Sequence, residues 1–253
     1  SALTTFPSTS FPLIWFGLYK EPDSMSIISS FTESLDRLWI PSIDQDGYRQ
    51  ILERIKGFIA AGETYQVNYT FRLHSKHKED PLTLFRQLMM IQPAGYASYV
   101  ETDQFAICSA SPELFFNLDD HQLITRPMKG TATRGLTLST DQEQSNRLQN
   151  SLKDRAENLM IVDMMRNDLG RIASPGSIKV PKLFEVEKYP TVWQMTSTVS
   201  SQTQASFSEI LTALFPSASI TGAPKVQTMK IITDLENSPR KIYTGTIGYL
   251  SPN

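Results

Sequence analysis

The residues best suited to chemistry in this sequence are a carboxyl and an amine that flank one predicted β-meander. Ser111-Pro112-Glu113 opens a short β-rich run, and Arg126-Pro127-Met128-Lys129-Gly130-Thr131 stands where a later run gives way to a loop. Runs at 113–118 and 122–128 that fold back on each other as antiparallel neighbours bring Glu113 and Lys129 out at the same end of the sheet. Lysine is a nucleophile only when neutral, and burial lowers its pKa toward the working pH. A carboxyl with a raised pKa is the matching general acid. The Gly130-Thr131 step leaves backbone N–H groups accessible to an anion. Taken alone, however, the two residues favour a plainer reading, a cross-strand surface ion pair worth about 0–1 kcal/mol.

Other chemistries find little support. No P-loop, G-x-G-x-x-G, G-x-S-x-G or metal-spaced Cys and His pairs occur. His74, His77 and His121 lie in polar text and read as solvated, and Cys108, the only cysteine, lies in an apolar stretch and reads as a buried structural thiol in a reducing compartment. The 253 residues carry a net charge of −2 with both signs interspersed, which argues against nucleic acid or an anionic membrane as partner and for a small molecule. No apolar run approaches the roughly 20 residues of a bilayer span. Ser1-Ala2-Leu3-Thr4-Thr5 lacks a basic start followed by an apolar core, so cytoplasmic residence is the expectation.

The elements that must position Glu113 and Lys129 follow from periodicity. Residues 1–43 are irregular, with an apolar run at 12–16, and read as the remnant of an N-terminal region. From Asp44 an amphipathic helix is expected on Tyr48, Ile51, Leu52, Ile55, Phe58 and Ile59, with Asp46 as cap and Gly62 as stop. A strand over 65–73 and a helix over 81–91 follow. Four β-rich runs at 96–101, 105–110, 113–118 and 122–128 are too closely spaced for crossover helices, so they should be antiparallel. Gly130 and Gly135 bracket a loop. Helical text runs from about 141 to 170, with a break near 150 where Ser151 and Asp154 form a capping pair. Strands at 177–187 and 191–200, helices at 207–214 and 224–236 with Pro224 in the first turn, and a final strand at 242–250 complete the pattern. The fold class is α+β, antiparallel sheets with inserted and flanking helices.

Five ordered blocks now change the weight of the plainer reading: Ser111-Pro112-Glu113, Arg126 to Thr131, Arg155-Ala156-Glu157-Asn158-Leu159-Met160-Ile161-Val162-Asp163, Arg166-Asn167-Asp168-Leu169-Gly170, and Ser219-Ile220-Thr221-Gly222-Ala223-Pro224-Lys225. Together they resemble the successive signatures of the chorismate-utilising enzymes, and the resemblance covers about 44–253. It implies a chorismate-binding catalytic domain over 44–253, in the fold of anthranilate synthase component I. Within that family anthranilate synthases usually carry alanine where this sequence has Lys129, and isochorismate and salicylate synthases place a water-activating lysine where it has Gln66. Lysine at 129 with glutamine at 66 therefore implies amination of chorismate at C4, as in aminodeoxychorismate synthase component I of folate (para-aminobenzoate) biosynthesis, with ammonia from a glutaminase subunit, component II.

The roles the resemblance implies are specific. Lys129 attacks C2 of chorismate as the C4 hydroxyl leaves, Glu113 protonates that hydroxyl, and ammonia then enters at C4 and displaces the lysine. Glu157 ligates Mg²⁺, which neutralises the ring carboxylate. Gln66, Gly130, Thr131, Thr221 and Gly222 bind substrate, the last two just ahead of a helix whose first N–H groups suit a carboxylate; a simple helix cap explains them nearly as well. Glu157 reads equally as a surface partner of Lys153 or Arg155, and Asp154, Asp163 and Asp168 as caps or structural hydrogen-bonders. Gln194 stands where many family members have histidine, so proton transfer there does not carry over. The family's C-terminal substrate arginine, glycine-rich loop and further metal-binding glutamates have no counterpart after Gly248-Tyr249-Leu250, which implies a chain incomplete at both ends, with an incomplete metal site. Anthranilate synthase component I, and a non-catalytic module binding chorismate or an aromatic amino acid, are the alternatives.

Overall fold

Helix α1 (Gln45–Ala60) begins at Asp44, whose carboxylate accepts the Gly47 N–H at 2.8 Å. Asp46, expected as the cap, lies inside the first turn and pairs with Arg49 at 3.4 Å. Gly62 closes the helix with φ +73°, a conformation glycine adopts without cost. The structure, a computed structural model, describes residues 12–20, 38–76 and 80–251. His77 and most of the 1–43 region lie outside the described residues, and the run at 12–16 is exposed and irregular.

Ahead of α1, strand β1 (Ile40–Pro41) pairs antiparallel with β3 (Leu73–His74), so part of the 1–43 segment is joined to the chain beyond α1. The single strand expected over 65–73 is broken. Only β2 (Gln66–Val67) and β3 pair with strands. Between them Asn68 bonds to Thr221 and Ile220, and the Thr70 N–H and hydroxyl both donate to the buried Glu236 carboxylate. At Thr70 a side chain, rather than a ladder, satisfies the backbone N–H.

Helix α2 (Pro81–Ile91) matches its expected span and is capped by Asp80. β4 (Tyr96–Glu101) and β5 (Ala106–Ser111) form a hairpin, and Cys108 within it is half-buried, its Sγ 3.4 Å from the Pro81 carbonyl. The main sheet holds five antiparallel strands: β6 (Leu114–Asp119), β7 (Gln122–Arg126), β8 (Met128–Thr133), β9 (Lys179–Lys188) and β10 (Val192–Gln202). β10 is its spine. β7 pairs with the second half of β10, β8 with the first half, and β9 lies along the other edge. Pro127, with no N–H to give, separates β7 from β8 while its carbonyl still accepts from Ser197.

The loop expected after Met128 is therefore a strand, because β10 offers a partner that local glycine content does not reveal. α3 (Leu138–Asn150) starts earlier than expected because Thr137 and Thr140 form a capping box, and α4 (Leu152–Leu169) starts after the expected break, with Ser151 Oγ accepting from Asp154 N. Asn158, Ile161, Val162, Met165, Asp168 and Leu169 form the buried stripe of α4 at helical spacing. That stripe joins Leu123, Val199 and α5 (Phe207–Leu214) in the larger core. A 3-10 turn (Ala218–Ile220) leads to β11 (Gly222–Ala223), which pairs with β2, and then to α6 (Lys225–Leu235), whose N-cap is Pro224 rather than a first-turn proline. α6 packs Ile231 and Leu235 on Ile51 and Ile55 of α1.

Residues 242–250, expected as a strand, are turns and irregular chain. Their β-type side chains meet no partner strand among the described residues, and β propensity without pairing does not hold a strand. No helix among the described residues is long and apolar enough to cross a membrane.

Candidate active site

Lys129 sits in a β-bulge. Thr131 pairs with Gln194 and Met128 with Thr196, so Lys129 and Gly130 together face Met195 alone. Gly130 takes φ +97°, and a Cβ there would come within 3.0 Å of Asp154 Cβ. The bulge turns Lys129 out of the regular alternation of β8. Its amine is held below the ordinary lysine range by burial, against the opposing pull of Glu113 and Glu157.

Glu113, just ahead of β6, stands close enough for each charge to be felt by the other. Its carboxyl is pushed up by burial, while the Ser219 hydroxyl (2.7 Å to Oε1), the Met128 N–H and the Lys129 charge pull it down. Its hydrogen bonds thus go to Ser219 and Met128, so it is not the surface ion-pair partner of the plainer reading. Ser219 is itself buried at the 3-10 turn and lies in a block singled out in the sequence, yet nothing about an isolated serine there marks it as the glutamate's partner. Burial acts on Glu113 and Lys129 in the same sense, toward an uncharged carboxyl beside an uncharged amine.

The remaining predicted residues fall into two groups. Thr131 is in β8 and its hydroxyl donates to Gln194 Oε1 at 2.8 Å. Glu157, on α4, is near enough to influence Lys129, and Lys153 stands 3.8 Å from it on the same helix. Its side chain is 39% exposed. Mg²⁺ takes few protein carboxylates and completes its shell with water and substrate oxygens. Glu157 fits one position of such a shell and no more, since no group of three His, Cys, Asp or Glu converges among the described residues.

Gln66, Thr221 and Gly222 form the second group, around the β2–β11 pair. Gly222 has φ +142°, and a Cβ there would lie 2.0 Å from the Gln66 carbonyl, so the close strand approach demands glycine. The Thr221 hydroxyl donates to Ser217 O and its carbonyl accepts from Asn68 N, so these groups serve the local fold rather than a helix terminus. Gln66 Oε1 is buried without a hydrogen-bond partner. The 3-10 turn ties this group to the first, because Ser219 on Glu113 is two residues from Thr221.

Charge pairs fasten the surroundings. Lys225 Nζ meets Asp168 Oδ2 at 2.5 Å with both side chains nearly buried, and burial keeps Asp168 above its ordinary range even so. Asp163 pairs with Arg166 at 3.0 Å, and Asp154 is in the first turn that Ser151 caps. Arg240 grips Glu236 with Nε and Nη2, while Nη1 reaches the Ile220 carbonyl and Nη2 also reaches the Asn68 carbonyl. Neither Arg240 nor Glu236 was singled out by sequence, where each is one charge among many.

The family model for chorismate binding enzymes matches residues 28–253. Aminodeoxychorismate synthase component 1 of Klebsiella aerogenes is 41% identical over 235 residues, 92% of this chain and 52% of that protein. Anthranilate synthase component 1 of Aquifex aeolicus is 35% identical over 234 residues, 92% of this chain and 45% of that protein. The solved anthranilate synthase component I of Streptococcus pneumoniae superposes with TM-score 0.78 at 28% identity, over 85% of this chain and 48% of its own. The chain thus spans about half the length of the curated relatives it matches. With a family model running through every block that builds the Glu113–Lys129 site, the chain belongs to the chorismate binding enzyme family.

Proposed function

We propose that the protein aminates chorismate at C4, as an aminodeoxychorismate synthase component I does, with Lys129 as covalent nucleophile. The observation that carries this reading is the partly buried amine on the β8 bulge near a partly buried carboxyl, each shifted by desolvation toward its neutral form. In that form Lys129 adds to C2 of chorismate, the ring double bond shifts, and Glu113 gives its proton to the departing C4 hydroxyl, which leaves as water. Ammonia then adds at C4, the double bond shifts back, and lysine departs from C2, so chorismate and ammonia become 4-amino-4-deoxychorismate and water. Splitting one substitution into two is the gain of covalent catalysis. Gln66, Gly130, Thr131, Thr221 and Gly222 would border the substrate, and Glu157 would give one carboxylate to Mg²⁺, which when bound would neutralise the ring carboxylate. Ammonia would come from a glutaminase subunit, and the setting would be the cytoplasm.

The anthranilate synthase reading would add loss of pyruvate. Lys129 disfavours it, since anthranilate synthases usually carry alanine at that position. Chorismate supplied with ammonium chloride and Mg²⁺, with products resolved by mass, separates these readings. The expected product retains the enolpyruvyl group and disappears in Lys129→Ala. A product lacking it would establish the anthranilate reaction, and no turnover by the unaltered protein would favour a binding module.

A further inference from the structure

The carbonyls at the nucleophile's bulge have an unusual partner. Where Lys129 and Gly130 oppose Met195, the ladder shifts register. Asn158 of α4, 1% exposed, reaches both strands there: its Nδ2 donates to Lys129 O at 3.3 Å and to Met195 O at 3.5 Å. Its Oδ1 accepts from Ser197 Oγ at 2.5 Å. The direction of that last bond is fixed from the other side of β10. There a second irregularity sets Leu183 and Phe184 of β9 against Ser197, and the Phe184 N–H donates to Ser197 Oγ at 3.1 Å. The serine proton is thereby left for Asn158 Oδ1, which turns the amide so that its two N–H groups face the bulge.

We propose that Asn158 is the positioning residue for Lys129: a buried carboxamide that pins the bulge of β8 to β10 and so fixes where the lysine side chain departs from the strand. This rests on the reading of Lys129 as nucleophile. Neither a carboxylate nor a hydrocarbon replaces it, because only the amide offers two donors to the two carbonyls and an acceptor to the serine. Asn158→Asp would set an anion against carbonyl oxygens, and Asn158→Leu would remove the amide's bonds to both carbonyls. The Ser197 hydroxyl acts one step behind, orienting the amide.

The test compares the unaltered protein with Asn158→Leu and, in case that variant folds poorly, the milder Ser197→Ala. Amide hydrogen exchange by mass spectrometry is followed over 122–126, 128–133, 179–182 and 192–197, together with ammonia-dependent turnover of chorismate. The expected result is exchange faster by on the order of tenfold over 128–133 and 192–197, with 122–126 and 179–182 unchanged. Turnover should fall by on the order of tenfold or more at an unchanged KM, the signature of a misplaced reacting group. Exchange rising evenly through the sheet would reduce Asn158 to ordinary core, and a local rise with undiminished kcat would remove its link to Lys129; either overturns the proposal. If the unaltered protein makes no product, the amination reading fails by itself, while the exchange pattern still decides whether the pin exists.

Discussion

In the proposed reaction the reactive form of Glu113 and Lys129 is the uncharged pair, and it carries the same number of protons as the ion pair. Between the two macroscopic pKa values, pH does not change the ratio of these tautomers; burial does. Burial is the largest influence on both groups, lowering the lysine and raising the glutamate. The rate of amination is therefore expected to show a flat plateau, falling on the acid side as both groups protonate and on the alkaline side as both lose their protons, measured as kcat against pH. Glu113→Gln keeps the hydrogen bond from Ser219 but removes the acid, and should cost roughly 10²–10⁴ in kcat. Asp141 gives a separate pH signature in stability. The Arg134 guanidinium, hydrogen-bonded to its carboxylate, holds it well below the usual range, with Gly135 N–H and Trp193 Nε1 adding to the effect. A depressed folded pKa stabilises the fold above the unfolded value of about 3.9, and that contribution is lost as pH falls from there through the folded value. Asp141→Asn should lower the melting temperature at neutral pH and reduce its further fall in acid.

At the scale of elements, what was legible in the sequence and what was hidden divide by whether the cause is local. α2 and α5 occupy their expected spans because their caps, Asp80 and Ser206 with Glu209, and their apolar spacing are contained within the segment. The break at Ser151 was legible for the same reason. β8 was hidden: Gly130 reads as loop until β10 supplies a partner, and the bulge that aims Lys129 is a matter of register between strands far apart in sequence. The run at 242–250 failed the other way, with strand-type residues and no partner among those described. Two substitutions test the packing. Gly222→Ala drives a methyl into the Gln66 carbonyl and should destabilise by about 1–3 kcal/mol or more in urea unfolding. Thr125, wholly buried on the sheet face toward α4, has a hydroxyl with no hydrogen-bond partner. Thr125→Val removes that polar group at similar volume and is expected to be neutral or stabilising by up to about 1 kcal/mol.

Across the whole molecule, the site is assembled by long-range ties rather than by one element. Glu113 meets Ser219, Asn158 meets the Lys129 carbonyl, Lys225 meets Asp168, and Arg240 joins Glu236 to the Ile220 and Asn68 carbonyls. Such ties explain why residue types alone left Lys129 as a surface ion-pair partner: its burial and aim are properties of the sheet, α4 and the 3-10 turn together. The blocks that carry the family resemblance supply the Glu113–Ser219, Asn158–Lys129 and Lys225–Asp168 ties, while Arg240, Glu236 and Asn68 lie outside them, and the geometry of all four stayed invisible in the sequence. Breaking the Arg240–Glu236 tie, with Arg240→Ala, leaves Glu236 buried without its countercharge and should cost about 3–5 kcal/mol of stability. The central claim, a covalent bond from Lys129, is tested most directly by incubating the protein with chorismate and Mg²⁺ in the absence of ammonia and mapping its peptides by mass. The expected result is a gain equal to chorismate less one water on the peptide containing Lys129, discharged on adding ammonium and absent in Lys129→Ala. No gain on that peptide while the same preparation converts chorismate once ammonium is added would contradict it.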